Sequence, residues 1–177
     1  RPLVASAGAA GRGPMSDQPA PMAPAPGADG TWQIRTQPDE QDLALIHHFQ
    51  SEQSTWARGI PLDTVRCSLQ HSLNFGGFLA GRQVAYARVV TDRSTFAYLV
   101  DVFVLPAHRG QGLSLRLMDA VMAHPDLQGL RRFLLATSTA AGLYARYGFE
   151  PLARPLAMME RWVPDAYGAS SPGTPAA

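Results

Sequence analysis

The chain has 177 residues, of which 46% are hydrophobic, and its formal net charge is +1. This length suits one domain with tails, and the small net charge argues against a nucleic-acid-binding surface, which would be clearly basic. A single cysteine, Cys67, excludes an internal disulfide framework and a zinc site made of cysteines alone. It also suits a reducing compartment, so the sequence predicts a cytoplasmic location, and no apolar run is long enough to predict a membrane span.

The two ends of the chain differ in composition from its middle. Residues 1–30 are rich in Ala, Pro and Gly, and we expect a disordered or artificial N-terminal tail, because such a segment buries too little apolar surface to offset its ordering entropy. Residues 164–177 have the same character and are expected to form a flexible C-terminal tail. The predicted domain is therefore residues 31–163.

The sequence of the first part of the domain predicts one strand and two helices. Residues 31–36 alternate polar and apolar side chains and predict a strand. Pro38 and the two acids after it favour a helix start, and this helix is expected to fade near Gln50 and to be followed by a loop over 51–60. Pro61 is expected to begin a second helix, in which four apolar residues recur at helical spacing: Leu62, Val65, Leu69 and Leu73.

Three consecutive strands are predicted next. Residues 75–80 and 83–91 are joined at Gly81, which favours a hairpin. Residues 95–105 are almost continuously apolar, which is typical of a central strand covered on both faces, and Pro106 ends that strand.

A helix, a strand and a second, shorter helix follow. The first helix is predicted from Gly112 to about Ala123, and residues 132–137 predict a strand. Ser138 or Thr139 is expected to cap the short helix over 140–147.

The last part of the domain predicts a helix end and further strands. Gly148 is placed to end the short helix in a left-handed conformation. Residues 151–162 predict one or two final strands, divided by Pro155. The whole order predicts a mixed α/β fold with an antiparallel meander and a parallel crossover.

The segment from Val104 to Ser114 carries the clearest chemical signal. A buried strand ends there, a tight loop follows, and a helix begins within it. Glycines at 110 and 112 allow backbone amides to turn toward one point, the helix N-terminus adds partial positive charge, and Arg109 adds a full charge. This combination suits a pyrophosphate, although an ordinary glycine-rich turn is an equally good explanation of the loop alone.

Two motifs resemble those of the GNAT acetyltransferase superfamily. The sequence RGQGLS at 109–114 resembles its motif A, Arg/Gln-x-x-Gly-x-Gly/Ala, and LYARYGFEPL, downstream, resembles its motif B. The resemblance extends from Thr31 to about Trp162. It departs at Ser114, where the family usually has Gly or Ala; a serine is small and can donate a hydrogen bond to a phosphate.

The resemblance implies both a fold and a cofactor site. The fold would be α/β, with a central mixed, mostly antiparallel sheet flanked by helices and splayed at a slot for CoA. Acetyl-CoA would be the co-substrate and no metal would be needed. The backbone amides of Phe103 and Val104 would hold the pantetheine arm like an added strand. The pyrophosphate would be held by the six motif A residues: Arg109, Gly110, Gln111, Gly112, Leu113 and Ser114.

Three further residues receive roles from the same resemblance. Tyr144 matches the motif B tyrosine and would protonate the departing CoA sulfur; otherwise it is a half-buried helix tyrosine. Asp101 interrupts an apolar strand, where it would deprotonate or orient the amine, or else form an ion pair with a residue such as Arg88. Trp56 resembles an acceptor-side residue, and the alternative is an aromatic side chain that anchors its loop.

The function implied is transfer of an acetyl group from acetyl-CoA to a primary amine, on a small molecule or a peptide, by direct attack. An acyl-CoA-binding sensor or scaffold, and a plain interaction domain, are the alternatives. Neither nucleic acid nor a membrane is an expected partner. A homodimer is possible if the final strand pairs across two copies.

Overall fold

A five-stranded sheet runs through the molecule with its strands in chain order. The first four strands pair antiparallel, and the fourth and fifth pair parallel. The computed structural model describes residues 32–163 and 165–168, so the predicted tail 1–30 and most of the predicted tail 164–177 lie outside the described residues. The strands are β1 Trp32–Arg35, β2 Leu73–Leu79, β3 Arg82–Thr91, β4 Phe96–Val104 and β5 Arg132–Leu135.

Helices cover both faces of this sheet, each over its own apolar cluster. Along β3, Ala85, Ala87 and Val89 belong to one cluster and Tyr86 to the other, as the two-residue period of a strand requires. The first cluster packs on α3, and the second packs on α1 and α2. The helices are α1 Leu43–His48, α2 Leu62–Gln70, α3 Leu113–Ala123 and α4 Ala141–Ala145.

The sheet splays between β4 and β5. The register joins residues 96–99 of β4 to residues 132–135 of β5, whereas β4 itself continues to Val104. Within the described part of the chain, no strand therefore pairs with that edge of β4 from Val100 onward. The mixed, mostly antiparallel sheet flanked by helices and splayed at one edge is confirmed.

The first helix begins later than the sequence predicts. Pro38–Glu40 forms a separate 3₁₀ turn. It ends there because the backbone of Gln41 is extended and the side-chain amide of Gln41 donates to the carbonyl groups of Arg35 and Gln37. The helix proper, α1, is capped by Asp42, whose carboxylate accepts from the backbone amide of Leu45. It then continues as a π-helical turn over Phe49–Gln53, where the sequence predicted the start of a loop.

The second helix ends earlier than its apolar spacing indicates. Leu73 is the first residue of β2 and not the last apolar residue of α2, and Leu62 is exposed. Asn74 explains the break, since its buried side-chain amide donates to the carbonyl oxygens of Leu69 and Ser72. Val65 and Leu69 are buried as expected.

The predicted side-chain cap of α4 is not formed. Ala140 occupies the N-cap position without a side-chain hydrogen bond to the helix, and its backbone amide donates to the hydroxyl of Thr137. Gly148 does adopt the left-handed conformation, with φ of +82°.

The predicted final strands are not formed. Residues 151–162 are irregular apart from a 3₁₀ turn at Pro155–Ala157. Large apolar side chains in this segment face solvent, with Leu156 98% and Met159 96% exposed. The sheet therefore ends at β5 within the described residues, and the strand invoked for a homodimer is absent there.

Tyr147 fixes the turn after α4 to α3, and its loss should weaken the fold. Its hydroxyl donates to the carboxylate of Asp119 at 2.7 Å and lies 3.1 Å from the carbonyl oxygen of Leu115. We expect Tyr147→Phe to reduce the free energy of unfolding by about 1 kcal/mol, the usual net value of such a hydrogen bond. Urea denaturation at neutral pH measures this difference.

The same substitution should change the free energy of unfolding less at alkaline pH. Burial and the hydrogen bond to Asp119 raise the pKa of Tyr147 to about 12. A folded pKa above the unfolded value of about 10 means that the stabilisation is complete below pH 10 and is lost as the pH rises through about 12. The difference between wild type and Tyr147→Phe should therefore shrink over this range, and a constant difference would contradict the assignment.

Candidate functional site

A cleft of about 380 Å³ lies at the splayed edge of β4. One wall comes from the π-helical turn and the loop after it, the floor from the end of β4, and the other wall from the glycine-rich loop and α4. The lining residues are Phe49, Gln53, Thr55, Trp56, Val102, Phe103, Val104, His108, Arg109, Gly110, Gly112, Leu113, Ser114, Ala140, Leu143 and Tyr144.

The glycine-rich loop presents a run of free backbone donors. Gly110 and Gly112 have φ of +74° and +73°, a region that favours glycine, and Gly112 caps α3. Among the described residues, no acceptor is present for the backbone amides of residues 110–114. Together with the positive end of the α3 dipole, this arrangement suits an anionic group such as a phosphate.

Val104 and Arg109 connect this loop to the open edge of β4. The amide of Leu105 donates to the carbonyl oxygen of Val84 at 2.9 Å, so alternation along the strand turns the polar groups of Val104 away from β3. The carbonyl oxygen of Val104 accepts from Nε of Arg109 at 3.0 Å, in agreement with this direction. An extended ligand can therefore pair with Val104 in the splay.

The same alternation corrects one part of the sequence interpretation. Phe103 pairs with Tyr86 across the ladder, so its amide faces β3 and not the open edge. Its ring is buried and stacks on Phe49, with the ring centroids 3.9 Å apart. Phe103 contributes an aromatic side chain to the cleft and does not offer its amide to a ligand in the slot.

Asp101 lies at a bulge in β4. The register with β3 shifts there, and Asp101 has φ of +54°. Its side chain is 10% exposed, and Oδ2 accepts from Nε of Arg88 at 2.7 Å. The ion pair that the sequence offered as the alternative role of Asp101 is present, and Asp101 is not among the residues that line the cleft.

Trp56 joins the loop after the π-helical turn to this bulge. Its Nε1 donates to Oδ1 of Asp101 at 3.1 Å, so both carboxylate oxygens of Asp101 are engaged. The indole ring lies 6.3 Å from the ring of Phe49 and remains 52% exposed. Trp56 therefore anchors its loop and lines the cleft at the same time.

Tyr144 lies in the opposite wall of the cleft, on α4. Its side chain is 8% exposed, and burial raises the pKa of its phenol above the usual value. Within the described part of the chain, burial is the one cause of this shift, and no hydrogen bond to the hydroxyl contributes to it. The phenol is therefore protonated at neutral pH and has its proton available for a ligand.

The structure brings most of the sequence-predicted residues to one cleft and adds others. Asp101 and Gln111 do not line it, although both adjoin residues that do. Three lining residues were missed because the sequence predicts a helix end and a loop from residue 51: Phe49 and Gln53 lie in the π-helical turn, and Thr55 lies in the loop just after it. His108, which precedes motif A, also lines the cleft.

Neither a metal centre nor a membrane span emerges from residues 32–163 and 165–168. In these residues no three His, Cys, Asp or Glu side chains are grouped so that they could hold a metal ion. No helix among them is long and apolar enough to cross a membrane.

Comparison with known proteins assigns the fold and the family. Residues 74–151 match the model of the acetyltransferase (GNAT) domain. A crystal structure of a GNAT-family protein from Xanthomonas campestris pv. campestris is 60% identical, with a TM-score of 0.76, over 77% of this chain and 96% of that chain. A protein of Gibberella zeae named as an acetyltransferase is 28% identical over 139 residues, or 66% of this chain and 77% of that protein.

A more distant structure shares the fold and contains CoA. The aminoglycoside N-acetyltransferase AAC(6′)-Iy in complex with CoA is 19% identical, with a TM-score of 0.53, over 74% of this chain and 94% of that chain. The family uses acetyl-CoA, and the donor loop and open strand edge described above suit such a ligand. On the strength of the Xanthomonas relative and the domain match, the chain belongs to the GNAT family of acetyltransferases.

Proposed function

We propose that this acetyltransferase moves an acetyl group from acetyl-CoA to a primary amine by direct attack. One observation carries the proposal: the cleft combines a run of free amides, the open edge of β4 and a protonated tyrosine. The amides of residues 110–114 and the Arg109 guanidinium would hold the pyrophosphate, and Val104 would pair with the pantetheine arm. In this arrangement the thioester would lie between the two walls of the cleft.

The reaction needs a neutral amine, a polarised carbonyl and a proton for the sulfur. The amine nitrogen forms a bond to the thioester carbon, the bond from that carbon to sulfur breaks, and the nitrogen gives up one proton to solvent water, from which the general acid regains its proton after turnover. Tyr144 is proposed to protonate the departing thiolate, because its phenol is protonated and lies in the cleft wall. No covalent enzyme intermediate is required.

For Asp101 we propose the orienting role rather than the basic one. Both of its carboxylate oxygens already accept hydrogen bonds, from Arg88 and from Trp56, and it does not line the cleft. A carboxylate committed in this way is poorly placed to take a proton from the amine. It holds Trp56 on the acceptor side instead, and the amine enters the site already neutral.

The kinetic pattern tests direct attack. With both acetyl-CoA and an amine varied, initial rates of CoA release should give intersecting double-reciprocal lines, because both substrates occupy the cleft before any product leaves. Parallel lines would indicate an acetyl-enzyme and would contradict the mechanism. Intact-mass measurement of the protein after incubation with acetyl-CoA alone should show no added acetyl group.

A homodimer is proposed on a different feature from the one that the sequence indicated. β5 pairs on one side only among the described residues, and the exposed apolar segment runs past it, with Arg132 Nη1 3.3 Å from Sδ of Met158. A second copy can offer both a matching sheet edge and a matching apolar segment about a two-fold axis. Sedimentation equilibrium of the full chain should give twice the chain mass, and a monomer at micromolar concentration would contradict it.

A further inference from the structure

We infer that the acceptor is an aromatic monoamine, whose ring stacks on the open face of Trp56. The inference rests on the proposed acetyl transfer and names the acceptor class for that same site. It starts from the way in which Trp56 is held, and continues with the charges that surround the cleft.

Trp56 is fixed although half of its surface is exposed. Its Nε1 donates to Asp101 at 3.1 Å, and Asp101 is itself held by Arg88. The indole packs against the ring of Phe49 in a tilted arrangement, with 46° between the two ring planes. The ring of Phe49 in turn stacks on that of Phe103, with 9° between their planes. A row of aromatic rings thus leads from β4 to the rim of the cleft, and its last ring is 52% exposed.

A fixed, exposed indole at a cleft wall is a prepared stacking surface. Aromatic rings attract one another in offset or tilted arrangements beyond what their buried area contributes. An indole that is already immobile loses little conformational entropy when a ring binds to it. The hydrogen bond to Asp101 supplies that immobility without covering the outer part of the ring.

The charges around the cleft disfavour acceptors with several ammonium groups. No lining residue in the described part of the chain is an Asp or a Glu, and the polar side chains beside Trp56 are those of Gln53 and Thr55. Asp101 lies behind the indole and is paired with Arg88, while Glu52 is exposed and does not line the cleft. Arg109 adds positive charge to the wall that would hold CoA. A polyamine would therefore find no carboxylate to bind its additional charges.

A panel of three amines and three proteins tests the inference. Phenethylamine, cyclohexylethylamine and spermidine are compared on the wild type, and acetyl-CoA binding is measured separately by calorimetry. We expect kcat/KM to be highest for phenethylamine, by about tenfold over its saturated analogue, which corresponds to about 1.4 kcal/mol. Spermidine should be the poorest of the three acceptors.

The substitutions isolate the indole. Trp56→Ala should lower kcat/KM for phenethylamine about tenfold, mainly through KM, because stacking acts in the bound ground state as well as in the transition state. The same substitution should change kcat/KM for cyclohexylethylamine much less, and it should leave the Kd of acetyl-CoA unchanged. Trp162→Ala removes a tryptophan that is 73% exposed and does not line the cleft, and it should leave the amine preference intact.

The outcomes separate this inference from the proposed function. Spermidine equal to or better than phenethylamine, or a preference that survives Trp56→Ala, would overturn the aromatic acceptor while leaving acetyl transfer standing. Normal acetyl-CoA binding with no reaction of any primary amine would instead overturn the proposed function, and the acceptor class would fall with it.

Discussion

Replacing Tyr144 with phenylalanine should lower kcat by about 100-fold or more, the range expected when a general acid is removed. The phenol lies in the cleft wall, and burial raises its pKa, which keeps it protonated across the neutral range. The Kd of acetyl-CoA should not change, because in the proposed complex residues 110–114, and not this hydroxyl, would hold the pyrophosphate. Pre-steady-state CoA release and calorimetry measure the two quantities.

Stability offers a check that the loss is chemical. Among the described residues no hydrogen bond contributes to the pKa shift of the Tyr144 hydroxyl, so its removal should leave the urea midpoint unchanged or slightly raised. Tyr147→Phe is the matched control, since it removes a phenol from the same region but should weaken the fold while sparing kcat. A Tyr144→Phe enzyme with wild-type kcat would show that the thiolate leaves without this proton.

The second large effect should come from Gly112→Glu, which we expect to raise the Kd of acetyl-CoA by roughly 100-fold or more. A carboxylate among the free amides repels a pyrophosphate, and unit charges about 4 Å apart near a protein surface interact by about 4 kcal/mol before screening by salt. The left-handed backbone at Gly112, with φ of +73°, adds strain for any other residue. Calorimetry with acetyl-CoA measures the change directly.

Gly129→Glu is the matched control for this substitution. Gly129 also has a left-handed backbone, with φ of +69°, and like Gly112 it has nothing within 4 Å of an added Cβ. It does not line the cleft, so the same strain and the same charge should leave the Kd of acetyl-CoA unchanged. An equal loss of affinity in both variants would mean that strain or misfolding, and not the anion site, explains the result.

The part of the site that the sequence predicted best is local in the chain. The end of β4, the glycine-rich loop and the start of α3 form one continuous segment, so the glycines at 110 and 112 and the cap of α3 could be read from it. Tyr144 and Gly148 could also be predicted from the sequence, because a short helix and its left-handed end depend on neighbouring residues.

The parts that the sequence could not predict depend on distant contacts. The hydrogen bond from Trp56 to Asp101 spans 45 positions, and our proposal of an orienting rather than a basic role for the carboxylate rests on it. The direction of the Phe103 amide depends on the register with β3, which a one-residue shift would reverse. The side-chain amide of Asn74 ends α2 against the apolar spacing that continued to Leu73, and that of Gln41 delays α1 although Pro38 favoured an earlier start.

The prediction of final strands over residues 151–162 was wrong for a related reason. Residues 151–162 contain enough apolar side chains to predict strands, but a strand forms only where another strand pairs with it. In the described residues the free edge of β5 is not taken up by this segment, and its apolar side chains stay exposed. The composition of this segment indicated strands, but without a neighbouring strand to pair with, the segment remained irregular.

Mass spectrometry of the product tests the central claim most directly. The purified chain is incubated with acetyl-CoA and phenethylamine, and the acetylated amine and free CoA are quantified over time. We expect the amide and CoA to accumulate in equal amounts, and CoA release to fall to the background rate when the amine is left out. Release of CoA without amide formation, or acetyl-CoA binding without consumption of this or any other primary amine, would contradict acetyl transfer to an amine.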